Sequence, residues 1–233
     1  DVDCPPDENL QCVEDVPAPA LDTAAFRALG GGINDFCDSV KISYTESSNM
    51  GNACIGDTLK ITRVYKIKDS KDSISCTVTY NVADTTRPQI TCPINVTVNC
   101  DANIQPPATG LATATDNCTN VVTNISSSDN RSNGSCNDNY IITRTWTAVD
   151  SCGNSNSCNQ LITVQDTTRP QITCPINVTV NCDANNQPPA TGVASATDNC
   201  TNVVTNISSS DNRSDRYCNE NGMSVDICAG GVS

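Results

Sequence analysis

Apolar and polar residues alternate along short stretches of this chain, and the alternation has the two-residue period of strands. In ITCPINVTVNC, Ile94, Val96 and Val98 fall on one face and Asn95, Thr97 and Asn99 on the other. This predicts a half-buried strand, broken by Gln105-Pro106-Pro107. Residues 111–116 and 121–125 read as two further short strands, and SSSDNRSNGS at 126–135 as a polar loop. The longest strand is expected over 140–149, and 159–165 closes the unit. On the long strand Tyr140, Ile142, Trp146 and Ala148 share a face, so Trp146 reads as a core residue. Helical periodicity is found only around 20–29. Short strands separated by turns spell an all-β sandwich.

The pattern returns. DTTRPQITCPINVTVNCDAN starts at Asp84 and again at Asp166, and residues 84–136 match 166–218 at 47 of 53 positions. An older copy opens the chain: CPPDENLQC at 4–12 has the cysteine step of CPINVTVNC at 92–100, and TRVY at 62–65 stands where TRTW stands at 143–146. A fixed period of this kind marks stacked or serial modules. Three are expected: a divergent one over 1–83, a complete one over 84–165 and an incomplete one over 166–233. The joints are Thr-Thr-Arg-Pro. Pro88 and Pro170 bias the residue before them toward extended backbone, which makes a short, semi-rigid joint.

Composition narrows the class. Sixteen cysteines stand beside no histidine, and no tight Cys pair of zinc-site spacing occurs. Oxidised cystines of a secreted or cell-surface protein are the expectation. Aromatic residues make up 3% of the chain, so each core must be thin and in need of covalent staples. The net charge of −13 argues against nucleic acid as a partner. There is no run of apolar residues long enough to span a membrane. The chain begins at Asp1 with no signal peptide, and reads as a mature or trimmed product.

The strings CPxNxTV, TATDNC, ITRTWTAVDSCGN and C-x-Q-x-I-T-V-x-DTTRP resemble the hyalin-type (HYR-like) repeats. The resemblance covers the second module fully, the third in part and the first loosely. It implies disulfide-stapled immunoglobulin-like sandwiches and adhesive, matrix or surface-structural work. It also implies that the CP strand is bonded to the last strand, so Cys92 to Cys158. Cys100 to Cys118 and Cys136 to Cys152 would then follow. By position the first module would pair Cys4 with Cys76 and Cys12 with Cys37. Candidates in the third are Cys182, Cys200, Cys218 and Cys228. The six cysteines of the middle module allow fifteen pairings. The outer modules carry five each. Cys54 is left over in the first, and Cys174 in the third if Cys218 meets Cys228. An odd cysteine suggests a bridge between modules or between chains.

After Cys218 the third module departs from the second, and nothing matches the closing strand NQLITVQD. Gly222, Ser224, Asp226 and Cys228 replace the core face, while Met223, Val225 and Ile227 take the other parity. A sandwich lacking its last strand has an open edge, which recruits strands from other chains. A head-to-tail filament or surface appendage, completed subunit by subunit, is therefore expected. The alternatives are a fragment of a longer surface array and an adhesin or carbohydrate-binding array with glycan or matrix partners.

Surface chemistry adds covalent glycans. N-x-S/T sequons occur at Asn95, Asn117, Asn124, Asn130, Asn133, Asn177, Asn199, Asn206 and Asn212. Asn117 and Asn199 precede a cysteine and read as hindered. Asp-Thr-Thr at Thr85 and Thr167 resembles a bacterial O-glycosylation signal. Calcium is the one ion worth weighing: Asp84, Asp116, Asp150 and Asp166 recur near module ends, and hard cations take oxygen ligands. The turn-capping role of Asp is the competing reading. No cofactor and no catalysis are expected, since His and the usual nucleophile and phosphate-binding motifs are missing.

Overall fold

The computed structural model describes residues 1–34, 39–119, 122, 124–134, 138–181, 184–185, 187–200, 206–210 and 223–225. The chain is all-β. Its elements run β1 (Val2–Asp3), β2 (Glu8–Leu10), a 3-10 turn (Val13–Asp15), α1 (Thr23–Ala28), β3 (Gly32–Ile33), β4 (Lys41–Ser48), β5 (Leu59–Lys68) and β6 (Ser73–Val82). There follow β7 (Gln89–Thr91), β8 (Val96–Val98), β9 (Thr113–Thr115), β10 (Asn124–Asn133), β11 (Tyr140–Val149) and β12 (Ser155–Val164). The last are β13 (Gln171–Thr173), β14 (Val178–Val180), β15 (Ser195–Thr197) and β16 (Met223–Val225).

The sheets repeat. One four-stranded sheet has the order β2-β6-β5-β4 and another β10-β11-β12-β8. In each, the strand after the Cys-Pro pair lies parallel to the last strand of its repeat: Glu8 opposite Tyr80, and Val96 opposite Ile162. Small two-stranded sheets repeat too, β7 with β9 and β13 with β15. The third copy differs. β14 pairs antiparallel with β16, Val178 opposite Val225. The edge expected to be open at this strand is thus covered by the chain itself.

Two compact units are formed. The first joins Asp1–Pro93, Gly110–Ser128 and Arg144–Gln160. Its core is built by alternation on β5 and β6, which turns Ile61, Tyr65, Ile67, Cys76, Val78 and Tyr80 inward with Phe26 of α1. Asp22 caps that helix by accepting from the Ala25 N–H at 2.7 Å. Phe26 meets Tyr65 edge to face with centroids 5.4 Å apart, a favoured aromatic geometry. Among the apolar side chains sits Arg63, 3% exposed. Its Nε donates to Glu46 at 2.8 Å, its Nη1 to the Pro17 carbonyl at 2.8 Å, and its guanidinium lies 5.1 Å from the Tyr80 ring centroid. A buried cation is tolerated only when its donors are satisfied in this way. Arg144, at the aligned position of the next repeat, is likewise buried, 6.0 Å from the Trp146 ring.

The second unit joins Ile94–Thr109, Asp129–Thr143 and Leu161–Ser233. Its core is thin, as the composition requires. Ile142, Ile162 and Val164 are buried, with Val96, Val98, Ile104 and Tyr140 packed half-exposed against them. The expected strand at Ile94 starts later: Ile94 is 81% exposed and β8 begins at Val96.

The polar stretch 126–135, expected as a loop, is for the most part a strand. β10 exposes all ten of its residues and borders β11 at the sheet edge. Ser132 Oγ donates to the Ile141 carbonyl at 3.3 Å, and Arg131 lies 3.6 Å from the Tyr140 ring centroid. Ladder pairing and this stacking outweigh the low strand propensity of Asn and Ser. The expected strand at 111–116 is three residues long, β9, and of that at 121–125 the described Asn124 and Ile125 open β10.

Replacing Arg63 by Ala removes the donor to the Pro17 carbonyl and the guanidinium packed against Tyr80, while Glu46, 41% exposed, returns to water. The variant should lose about 2–3 kcal/mol of stability, from the unmet acceptor and the lost packing. Denaturant melts of the oxidised protein measure it; a loss below about 1 kcal/mol, as for an exposed pair, would contradict this reading.

The stapled joint between repeats as candidate functional site

The joints are the most elaborated part of the described molecule. Three of its five described disulfides connect one repeat with the next. Cys12 bonds Cys118, Cys54 bonds Cys152 and Cys100 bonds Cys200. The expected pairs Cys4–Cys76 and Cys92–Cys158 are formed within their repeats. The remaining expectations are corrected. Cys12 does not pair with Cys37, nor Cys100 with Cys118, nor Cys136 with Cys152, nor Cys182 with Cys200. The sulfur partner is chosen by what docks at the joint: the Cα atoms of Cys12 and Cys118 stand 5.2 Å apart, and those of Cys100 and Cys200 5.9 Å, both within disulfide reach. Cys54, left over within its own repeat, bonds inside the chain. Cys174 is also disulfide-bonded. Cys37, Cys136, Cys182, Cys218 and Cys228 lie outside the described residues.

Cys12–Cys118 and Cys100–Cys200 are the same staple built twice, and the same polar clamp surrounds both. At the first joint the residue before Cys12, Gln11, accepts at Oε1 from the Thr85 N–H and hydroxyl, both at 2.9 Å, and from the Thr86 hydroxyl at 3.2 Å. At the second, the residue before Cys100, Asn99, accepts at Oδ1 from the Thr167 N–H at 3.0 Å and its hydroxyl at 3.3 Å. Asn99 Nδ2 also donates to the Thr168 hydroxyl at 3.0 Å. The Asn after each Asp-rich turn touches the cystine: Asn117 Nδ2 lies 3.1 Å from Cys12 Sγ, and Asn199 Nδ2 lies 3.7 Å from Cys100 Sγ.

The Asp residues organise the turns. Asp84 and Asp166 accept from the Thr86 and Thr168 N–H, each at 3.0 Å. Asp116 and Asp198 accept from the Cys118 and Cys200 N–H at 3.2 and 3.0 Å. Asp150 holds the Cys152 N–H at 2.8 Å and the Asn154 N–H at 2.9 Å. Asn154 in turn donates to the Asp84 carbonyl at 3.3 Å, and the Asp84 N–H donates to the Ala53 carbonyl at 2.8 Å. These short Asx bonds fix the loops that carry the cysteines.

Electrostatics here are one-signed. Burial pushes the Asp84 carboxyl above the usual carboxylate range, and Asp116, Asp150 and Glu14 push it further, against a hydrogen bond from Thr86. Glu14 is held below the usual range chiefly by the Thr119 N–H that it accepts. Of the calcium candidates, Asp84 and Asp150 are buried and belong to the first joint, while Asp166 is exposed at the second.

The sequon residues Asn124, Asn130, Asn133, Asn177 and Asn206 are exposed, the first three on β10. Asn95 is exposed as well, with its Oδ1 accepting from the Leu161 N–H at 2.8 Å. Asn212 lies outside the described residues. The hydroxyls of Thr85 and Thr167 are engaged in the clamp. An O-glycan on either would remove that donor. Neither the cross-repeat cystines nor the amide clamp was expected residue by residue. The odd cysteine count was their signal.

A C12S/C118S double variant should fold but lose about 2–4 kcal/mol, the range for a cystine closing a long loop; the bond spans 106 residues. Equilibrium melts against the parent protein check this, and an unchanged stability would mean that the clamp alone holds the joint.

Residues 88–164 match the family model described as HYR-like domain with 4 cysteines. A search of curated proteins returns no match for the chain. The matched segment holds six cysteines. Only Cys92 and Cys158 are seen to pair inside it, while Cys100, Cys118 and Cys152 reach outside it. The disulfides suit an extracellular or surface setting. Over residues 88–164 the chain is thus similar to a HYR-like domain, and the bonded Cys-Pro strand lies within that segment.

Proposed function

We propose that the chain is a non-catalytic structural subunit of an extracellular filament or surface appendage, secreted and assembling head to tail. The observation that carries this reading is the joint. A cystine and an amide clamp, placed alike at both junctions, are what a repeat protein needs to transmit tension without unravelling. β14 supplies the assembly step. β2 and β8 each have a parallel closing strand, whereas β14 has the antiparallel β16. In the filament a neighbouring subunit's strand displaces β16 and takes β14 in the parallel register. A glycan on Asn130 of the exposed β10 would keep that other edge from pairing.

An adhesive or carbohydrate-binding array would be served by an exposed aromatic platform. The sole tryptophan offers none: Trp146 is 4% exposed, and its Nε1 donates to Gln160 at 3.3 Å.

Two measurements test the proposal. Negative-stain images of the purified protein should show polymers whose length grows with concentration; a single discrete monomer species at all concentrations would sink the assembly step. Pulling one molecule by its ends tests the load-bearing role. Through the described cystines, the shortest covalent path crosses three residues to Cys4, 24 from Cys76 to Cys100 and 33 from Cys200 to Ser233. At about 3.5 Å per residue the oxidised chain should reach no farther than about 210 Å, and the reduced one near 800 Å. Equal lengths in both states would remove the mechanical reading.

A further inference from the structure

The acidic cluster of the first joint does more than cap turns. Carboxylate oxygens of Asp84 and Asp116 lie within 4.8 Å of each other. Asp84 is 4% exposed and Asp150 3% exposed. Asp116 Oδ1 accepts from Cys118, but its Oδ2 is fully buried and has no hydrogen-bond donor. It is the sole buried side-chain oxygen or nitrogen in that state among the described residues. Asp116, Asp150 and Glu14, all acids, act on Asp84. Buried like charges without a compensating cation are unfavourable, and the half-buried Asp116 turns toward Asp84 an oxygen that a bound ion or a water would satisfy.

We propose that this cluster binds a divalent hard cation of the calcium class, with Asp84 and Asp116 as direct ligands and Asp150 and Glu14 adding field. The donor set is oxygen only, as such ions require. The neighbouring Cys118 sulfur is committed to Cys12 and is not a thiolate ligand. A cation here would tie together the segments that the two cystines of this joint also connect: Asp84 follows β6, Asp116 follows β9, and Asp150 leads into the loop of Cys152. The site goes beyond the structural role proposed above and stands without it. At the second joint Asp166 is exposed, and the proposal is confined to the first.

The test is thermal melting of the whole oxidised chain after chelation, with CaCl2 or with NaCl of equal ionic strength. At about 1 mM CaCl2, a level suited to extracellular modules, the midpoint should rise by roughly 2–4 °C above the NaCl control. D84N and D116N should each abolish most of that rise. D116N keeps an oxygen for the Cys118 N–H. Titration calorimetry with CaCl2 gives the stoichiometry, expected to be one site lost in both variants. No rise in the parent, an equal rise with NaCl, or a full rise in both variants would overturn the site. Filament images of the same samples keep its failure separate from failure of the assembly reading.

Discussion

Sulfur bonded across a joint does here what hydrophobic area does in larger domains. The core cluster of the second unit buries Ile142, Ile162 and Val164 among the described residues. Burying three aliphatic side chains yields on the order of 5–9 kcal/mol, against an ordering cost of about 1–2 kcal/mol for every residue fixed. Such a unit depends on constraint of its unfolded state. The cystines supply it, and because three of them connect neighbouring repeats, the stability of each repeat is shared with the next. Solenoid proteins couple their repeats through stacked apolar faces; this chain couples them through covalent bonds and a ring of amide and hydroxyl groups.

The polar clamp explains why DTTRP recurs unchanged. Asp84 and Asp166 take the N–H two residues on, and Thr85 and Thr167 give N–H and hydroxyl to an amide beside the cystine. The aspartate and both threonines are engaged, and Pro88, fully buried, ends the motif with its carbonyl accepting from Asn156 at 3.1 Å. The acceptor is Gln11 in one joint and Asn99 in the other. The longer amide bonds both threonine hydroxyls from one oxygen, while the shorter one splits the work between Oδ1 and Nδ2.

Much of the strand framework could be read from alternation. β11 and β12 carry the inward faces expected of them, and Trp146 is in the core. So is the bond between the Cys-Pro strand and the last strand, which the family resemblance implied. The joint could not be read in the same way. Cys12 and Cys118 are 106 residues apart, and no local periodicity reports which loops meet. The surplus Cys54 was a hint, since an odd number within one repeat demands a partner outside it. β10 misled for a different reason. Its Asn and Ser residues favour turns in isolation, and only the neighbouring strand makes them extended.

The described cystines also overlap in order along the chain: 4 to 76, 12 to 118, 54 to 152 and 100 to 200. Each loop opens before the previous one closes, so the series behaves like links of chain mail. A protease that severs one peptide bond anywhere from Cys4 to Cys200 leaves its two products joined through sulfur. Outside the cell, where hydrolysis is frequent and repair absent, such damage would not part the molecule.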